Sequence, residues 1–104
     1  MGMGNLQRMA MQMQQEMERV QAELAEAKIE GTSGGGVVRA VVTGKQKLIS
    51  VTIDPSAVDP DDVDMLQDLV TAAVNDALEA SQRMAEQKMG AMQSLGGLGG
   101  LLGR

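Results

Sequence analysis

Between residues 5 and 29 the chain contains no Gly or Pro, and its apolar positions advance in alternating steps of four and three: Leu6, Ala10, Met13, Met17, Val20, Leu24 and Ala27. Steps of this size line one side of a helix, so the stretch predicts a helix with a heptad seam. The glycines of Glu30-Gly31-Thr32-Ser33-Gly34-Gly35-Gly36 break it, and a short edge strand is expected from near Ile29. The period then changes to two. Residues 37–43 and 46–53 are β-branched runs on either side of Gly44-Lys45, which reads as a two-residue hairpin turn with Gly first. Closing the turn there pairs Val42 with Lys47, Ala40 with Ile49 and Val38 with Val51. Val38, Ala40, Ile49, Val51 and Ile53 then share one face, and Arg39, Ser50 and Thr52 the other. One apolar and one polar face describe a sheet covered by helices on a single side.

Asp54-Pro55-Ser56 ends the hairpin, and Asp59-Pro60-Asp61-Asp62 offers carboxylates to the positive end of a second helix. In that helix Val63, Leu66, Val70, Ala73, Ala77, Ala80 and Met84 again alternate by three and four, with Leu69, Val74 and Leu78 widening the stripe. From Gly90 the glycines return, and the end of the chain reads as a flexible tail. The fold class is therefore α+β, in the order helix, three-stranded antiparallel sheet, helix. One domain is expected over residues 1–92, with a Gly/Leu-rich tail at 93–104. Helices of roughly 25 to 30 residues reach ~40 Å, whereas the strands reach only ~25 Å. The helices must overhang the sheet, and a symmetric homodimer is the simplest way to cover their distal halves. The small residues invite close helix–helix approach, which makes Val70, Ala73, Ala77, Ala80 and Met84 the expected dimer interface.

Composition narrows the function. The 104 residues include no His, Cys, Trp, Tyr or Phe. Without Cys there is no disulfide, thiolate nucleophile or thiolate metal site, and without His the usual acid–base residue at neutral pH is missing. An enzyme is not expected, nor is a cofactor, a metal or a small-molecule substrate. The absence of aromatics also removes the platforms on which single-strand and RNA binders stack bases. No run approaches the ~20 apolar residues of a membrane span, so a cytoplasmic protein without membrane contact is expected. The acids at Asp59–Asp64 do not form an EF-hand loop, because Asp64 and Val70 stand where Gly and Glu are required.

Several segments together resemble a known family. Met3-Gly4-Asn5-Leu6 opens a Gln- and Met-rich helix, Gly31-Thr32-Ser33-Gly34 precedes the hairpin, and Val51-Thr52-Ile53-Asp54-Pro55 closes it. Leu66-Gln67-Asp68-Leu69-Val70-Thr71-Ala72-Ala73-Val74-Asn75-Asp76-Ala77 follows. In order and spacing, over residues 1 to 92, these resemble the YbaB/EbfC family of bacterial nucleoid-associated proteins. The resemblance implies an α-β-β-β-α protomer, a homodimer with helices projecting like tweezers, a place in the nucleoid, and binding of duplex DNA that alters its conformation without strong sequence preference.

A net charge of −5 repels a polyanion, so the distribution of charge matters more than its sum. Residues 54–80 carry eight acids and no base, while residues 31–53 hold Arg39, Lys45 and Lys47 with no acid. Near the helix ends stand Arg8 in the first helix, and Arg83 and Lys88 against Glu86 in the second. With Arg19, these are the residues expected to meet DNA phosphates. Ten Met residues, among them Met9, Met13, Met17 and Met84, read as seam packing or as a soft surface for apolar segments. A helix–hairpin–helix chain with such tips also fits a prefoldin-like tweezer chaperone, and the seams alone fit a coiled-coil adaptor.

Overall fold

The computed structural model describes residues 2–95, and the side chains of residues 4–91. It has the expected order: α1 (Gly2–Glu26), β1 (Lys28–Ser33), β2 (Val38–Thr43), β3 (Leu48–Ile53) and α2 (Val63–Leu95). The strands form one antiparallel sheet in the order β1-β2-β3. The molecule extends over 73 × 26 × 16 Å, because both helices run past the sheet.

Two boundaries differ from expectation. The first helix stops at Glu26, just short of the Ala27 that ends its apolar seam, because β1 opens at Lys28, one residue ahead of the edge strand expected near Ile29. The second helix continues through Gly90 to Leu95, where a tail was expected. A single Gly costs a helix only about 1 kcal/mol relative to Ala, and the good helix formers around it suffice. The remainder of the expected tail, 96–104, lies outside the described residues.

α2 lies across β1 and β2 on one side of the sheet. Val38, Ala40 and Val42, alternate residues of β2, are buried beneath it with Ala73 and Ala77. Ile29, Leu66, Leu69, Val70, Val74 and Leu78 pack around that centre. Helix and sheet meet at Gly31, which pairs with Ala40. A Cβ there would lie 2.2 Å from the Ala77 backbone nitrogen and 2.5 Å from the Ala73 carbonyl oxygen. Ala73 and Ala77 therefore serve a close helix–strand contact within one protomer, where a helix–helix contact was expected. Polar links complete the seat: the Ser33 hydroxyl donates to the Leu69 carbonyl at 2.5 Å, and the fully buried Ser81 hydroxyl donates to the Thr43 carbonyl at 2.7 Å. The Asp62 carboxylate accepts from the Met65 N–H at 3.1 Å and caps α2. Asp59 likewise accepts from Asp61 N–H at 2.9 Å, which makes this acidic segment a set of turn and helix caps.

The hairpin is present, but its register is not the expected one. Val38 pairs with Ile53, Ala40 with Val51 and Val42 with Leu48, and a bulge at Ile49 separates the last pair from the others. The turn holds three residues: the Gln46 N–H donates to the Thr43 carbonyl, the Thr43 N–H donates to the Lys47 carbonyl, and Gln46 takes φ 62°. Gly44 is not the left-handed residue. It is small because a Cβ would lie 2.7 Å from the Leu24 carbonyl oxygen, where α1 crosses the turn. α1 is held there by Val20 and Leu24, which pack with Met84, Ala85 and Met89 of α2.

β3 departs furthest from the sequence reading. Leu48, Val51 and Ile53 share the face of Val38, Ala40 and Val42, yet α2 covers them only in part and each keeps more than a third of its surface exposed.

Candidate nucleic-acid interface

The expected cations fall into three settings. On α1, Arg19 lies between Glu16 and Glu23 and forms ion pairs with both. Its guanidinium is held above its ordinary pKa, chiefly by the hydrogen bond to Glu16, and Glu16 is lowered in return. Across the helix pair, Lys88 donates to Glu23 at 2.8 Å. The Lys88 hydrogen bond is the main reason the Glu23 carboxyl sits below its usual range, with the charge of Arg19 adding to it. Glu23 thus ties α1 to α2 and occupies two of the cations expected to meet DNA.

The second setting is the outer part of the helices. Arg8 and Arg83 are exposed, and neither forms an ion pair among the described residues. Around Arg8 the apolar seam of α1 continues outward from Val20 into exposed Met17, Met13, Met9 and Leu6.

The sheet provides the third setting. With Val38, Ala40 and Val42 turned under α2, the alternation of β2 sends Arg39, Val41 and Thr43 to the opposite face. Arg39 is exposed and its Nε donates to the Gly36 carbonyl at 3.3 Å. Lys45 and Lys47 stand at the turn, where their backbone N–H groups donate to the Thr43 hydroxyl at 3.2 and 3.3 Å. Both border an open groove shared with Ala25, Thr43, Leu48 and Ile49. Lys28, which the sequence reading did not single out, joins them because it pairs with Thr43. Its signal was the period-two alternation Lys28, Glu30, Thr32, legible only if β1 begins at 28.

Glu30 shares this face, and the larger group of acids lies elsewhere. Asp64, Asp68, Asp76 and Glu79 are exposed on α2, on the other side of the sheet, and Asp76 accepts from the Thr32 backbone N–H at 3.0 Å.

The expected dimer-interface residues divide in the same way. Ala73 and Ala77 have no exposed surface in the single protomer, so a partner has nothing to touch there. Met84 packs with Val20 and Leu24 of its own chain. Ala80 and Val70 are half-buried. The most exposed apolar strand surface is that of β3.

A family model described as the YbaB/EbfC DNA-binding family matches residues 1–98. Among similar curated proteins, one from Saccharopolyspora erythraea is 51% identical over 108 aligned positions, covering 94% of this chain and 93% of that one. One from Chloroflexus aurantiacus is 48% identical over 101 positions, covering 97% and 99%. Both carry the name nucleoid-associated protein. The crystal structure of an uncharacterized protein from Helicobacter pylori has the same fold, with a TM-score of 0.76 at 22% identity over 89% of this chain and 98% of that chain.

Proposed function

Because the chain belongs to the YbaB/EbfC DNA-binding family, we infer that it is a nucleoid-associated protein that binds duplex DNA as a homodimer, with little sequence preference, and alters the conformation of the DNA. The observation that carries this reading for an acidic chain is the separation of its charge. Most exposed acids occupy α2 and its lead-in, while Lys28, Arg39, Lys45 and Lys47, which form no ion pair among the described residues, stand with Glu30 on and beside the far face of the sheet. A polyanion can approach the second side without facing the first, and each phosphate met there releases condensed counterions. With no aromatic residue to stack on bases, contact falls on the backbone, where Lys, Arg, Thr and Gln position a protein without reading sequence. The cell compartment that follows is the nucleoid, within the cytoplasm. No catalytic role belongs to this reading.

The dimer rests on β3. Leu48, Val51 and Ile53 remain at 45%, 36% and 37% exposure, and covering them would gain about 1 kcal/mol each. Val70, Val74 and Leu78 lie roughly 120 to 200° around α2 from Asp76, which faces the β1 edge, so they flank the uncovered strand. An apolar strip of this kind, repeated by a two-fold axis, covers itself. Val70 keeps its expected place in such an interface, and Ala73 and Ala77 give theirs to β3.

Titration of two unrelated labelled duplexes of equal length, with light scattering on the free protein, tests the reading. Affinities within about threefold of each other, with little base readout, and a mass of two chains are expected. A monomer, a strong preference for one duplex, or no binding at low salt would contradict it.

A further inference from the structure

We propose that the outer face of the three-stranded sheet, the one turned away from α2, is a surface on which the DNA backbone rests. This builds on the DNA-binding reading above and locates part of the contact.

The strand register defines the face. One row across the sheet is Lys28, Thr43 and Lys47; the next is Glu30, Val41 and Ser50; the third is Thr32, Arg39 and Thr52. Of these nine positions, three are cations, four carry hydroxyls, one is an acid and one is apolar. Val41 and Thr43 are half-buried and the other seven are exposed. Lys45 adds a fourth cation at the turn that borders the first row.

This clustering of cations is particular to the sheet. Elsewhere Arg19 is taken up by Glu16 and Glu23, and Lys88 by Glu23, while Arg8 and Arg83 stand singly on the helices. Here, among the described residues, none of the four cations forms an ion pair, although Glu30 lies in the row between theirs, two residues along β1 from Lys28. The face therefore carries an unneutralised excess of positive charge, and the acids of α2 disfavour approach of a polyanion from the opposite side.

The spacing suits a backbone ligand. Lys28 and Lys47 are two strands apart, about 10 Å, and Arg39 is four residues along β2 from their row, about 13 Å. Cations this far apart cannot share one phosphate, but they can each meet a different one, on a scale comparable with the ~12 Å width of the major groove. Hydroxyls between them donate to further phosphate oxygens. A sheet that binds RNA by stacking needs aromatics on this face, and the chain has none. The chemistry that remains is phosphate contact by a flat, hydroxylated, basic surface.

Fluorescence anisotropy of a labelled duplex with full-length protein, repeated across a salt series, tests the assignment. The triple variant Lys28→Gln, Arg39→Gln, Lys47→Gln should weaken binding at least about tenfold and flatten the slope of log K against log salt by roughly 2 to 3. Glu30→Gln should act in the opposite sense, tightening binding by about two- to fivefold at low salt by removing a repulsive charge. Circular dichroism and light scattering establish that both variants keep the fold and mass of the parent. A triple variant that binds like the parent with the same slope, or a Glu30→Gln variant of unchanged affinity, overturns the surface while leaving the family-based reading intact. If the unmodified protein binds no duplex at low salt, that reading fails and this surface fails with it.

Discussion

Gly31 of β1 and Ala77 of α2 meet backbone to backbone: a Cβ on Gly31 would lie 2.2 Å from the Ala77 nitrogen and 2.7 Å from its Cα. This contact sets the distance between helix and sheet, and with it the depth at which Val38, Ala40 and Val42 are buried. Backbone atoms have no alternative rotamer, so the helix itself would have to move. Gly31→Ala is expected to destabilise the fold by about 3 kcal/mol, at the upper end of overpacking costs, and to lower Tm by more than roughly 10 °C in circular dichroism melts.

Gln46 carries the left-handed backbone of the hairpin turn, at φ 62°. A residue with a Cβ is strained there by about 1 kcal/mol, and Gly is not. Gln46→Gly should therefore stabilise the protein by roughly 0.5 kcal/mol, part of the relief being offset by the greater entropy of Gly in the unfolded chain. Gly44→Ala should do the reverse, since its new Cβ meets the Leu24 backbone and lifts α1 from the turn. Chemical denaturation of the two variants compares them directly.

The turn also shows where sequence and structure part. Hairpin, strand order and helix order were all legible, because the change of period from 3.6 to two is local and strong. Gly44 read as the positive-φ residue because Gly usually is, but its smallness answers Leu24, twenty positions away. The small residues Ala73 and Ala77 read as a helix–helix seam, and nothing local indicates that their partner is Gly31. Among the cations, the Arg19 pairs with Glu16 and Glu23 follow helical spacing and were readable. The capture of Lys88 by Glu23 depends on how α1 and α2 lie together, which periodicity does not specify.

Acid should release α1 before the rest of the fold. The Glu23 carboxyl is lowered mainly by the Lys88 hydrogen bond, so its contribution to stability is full above the ordinary value of 4.5 and fades as pH falls through the lowered one. Glu16 and Asp54 are lowered as well and fade in the same direction. Hydrogen exchange around Val20 and Leu24 should quicken below about pH 4.5, and Glu23→Gln should already exchange faster at pH 7, with a smaller change on acidification. Equal acid sensitivity in the two proteins would dismiss the Glu23 tie.

A charge placed on the uncovered strand should separate the protomers. Val51 and Ile53 lie at the rim of the core and keep about a third of their surface exposed, so Val51→Glu with Ile53→Glu sets like charges against each other across a two-fold axis while leaving Val38, Ala40 and Val42 in place. Light scattering is expected to give the mass of one chain for this variant and of two for the parent, with unchanged far-ultraviolet circular dichroism. A variant that still forms dimers would move the interface to another face, the exposed Leu6–Met17 seam of α1 being the next in apolar content.

The measurement closest to the central claim is the salt dependence of binding to duplex DNA. For a chain of net charge −5 that grips phosphates through a segregated set of cations, log K should fall linearly with log salt, with a slope near roughly −4 to −6, from about five or six neutralised phosphates per dimer. A slope near zero, or no binding even at low salt by a folded dimer, would contradict it.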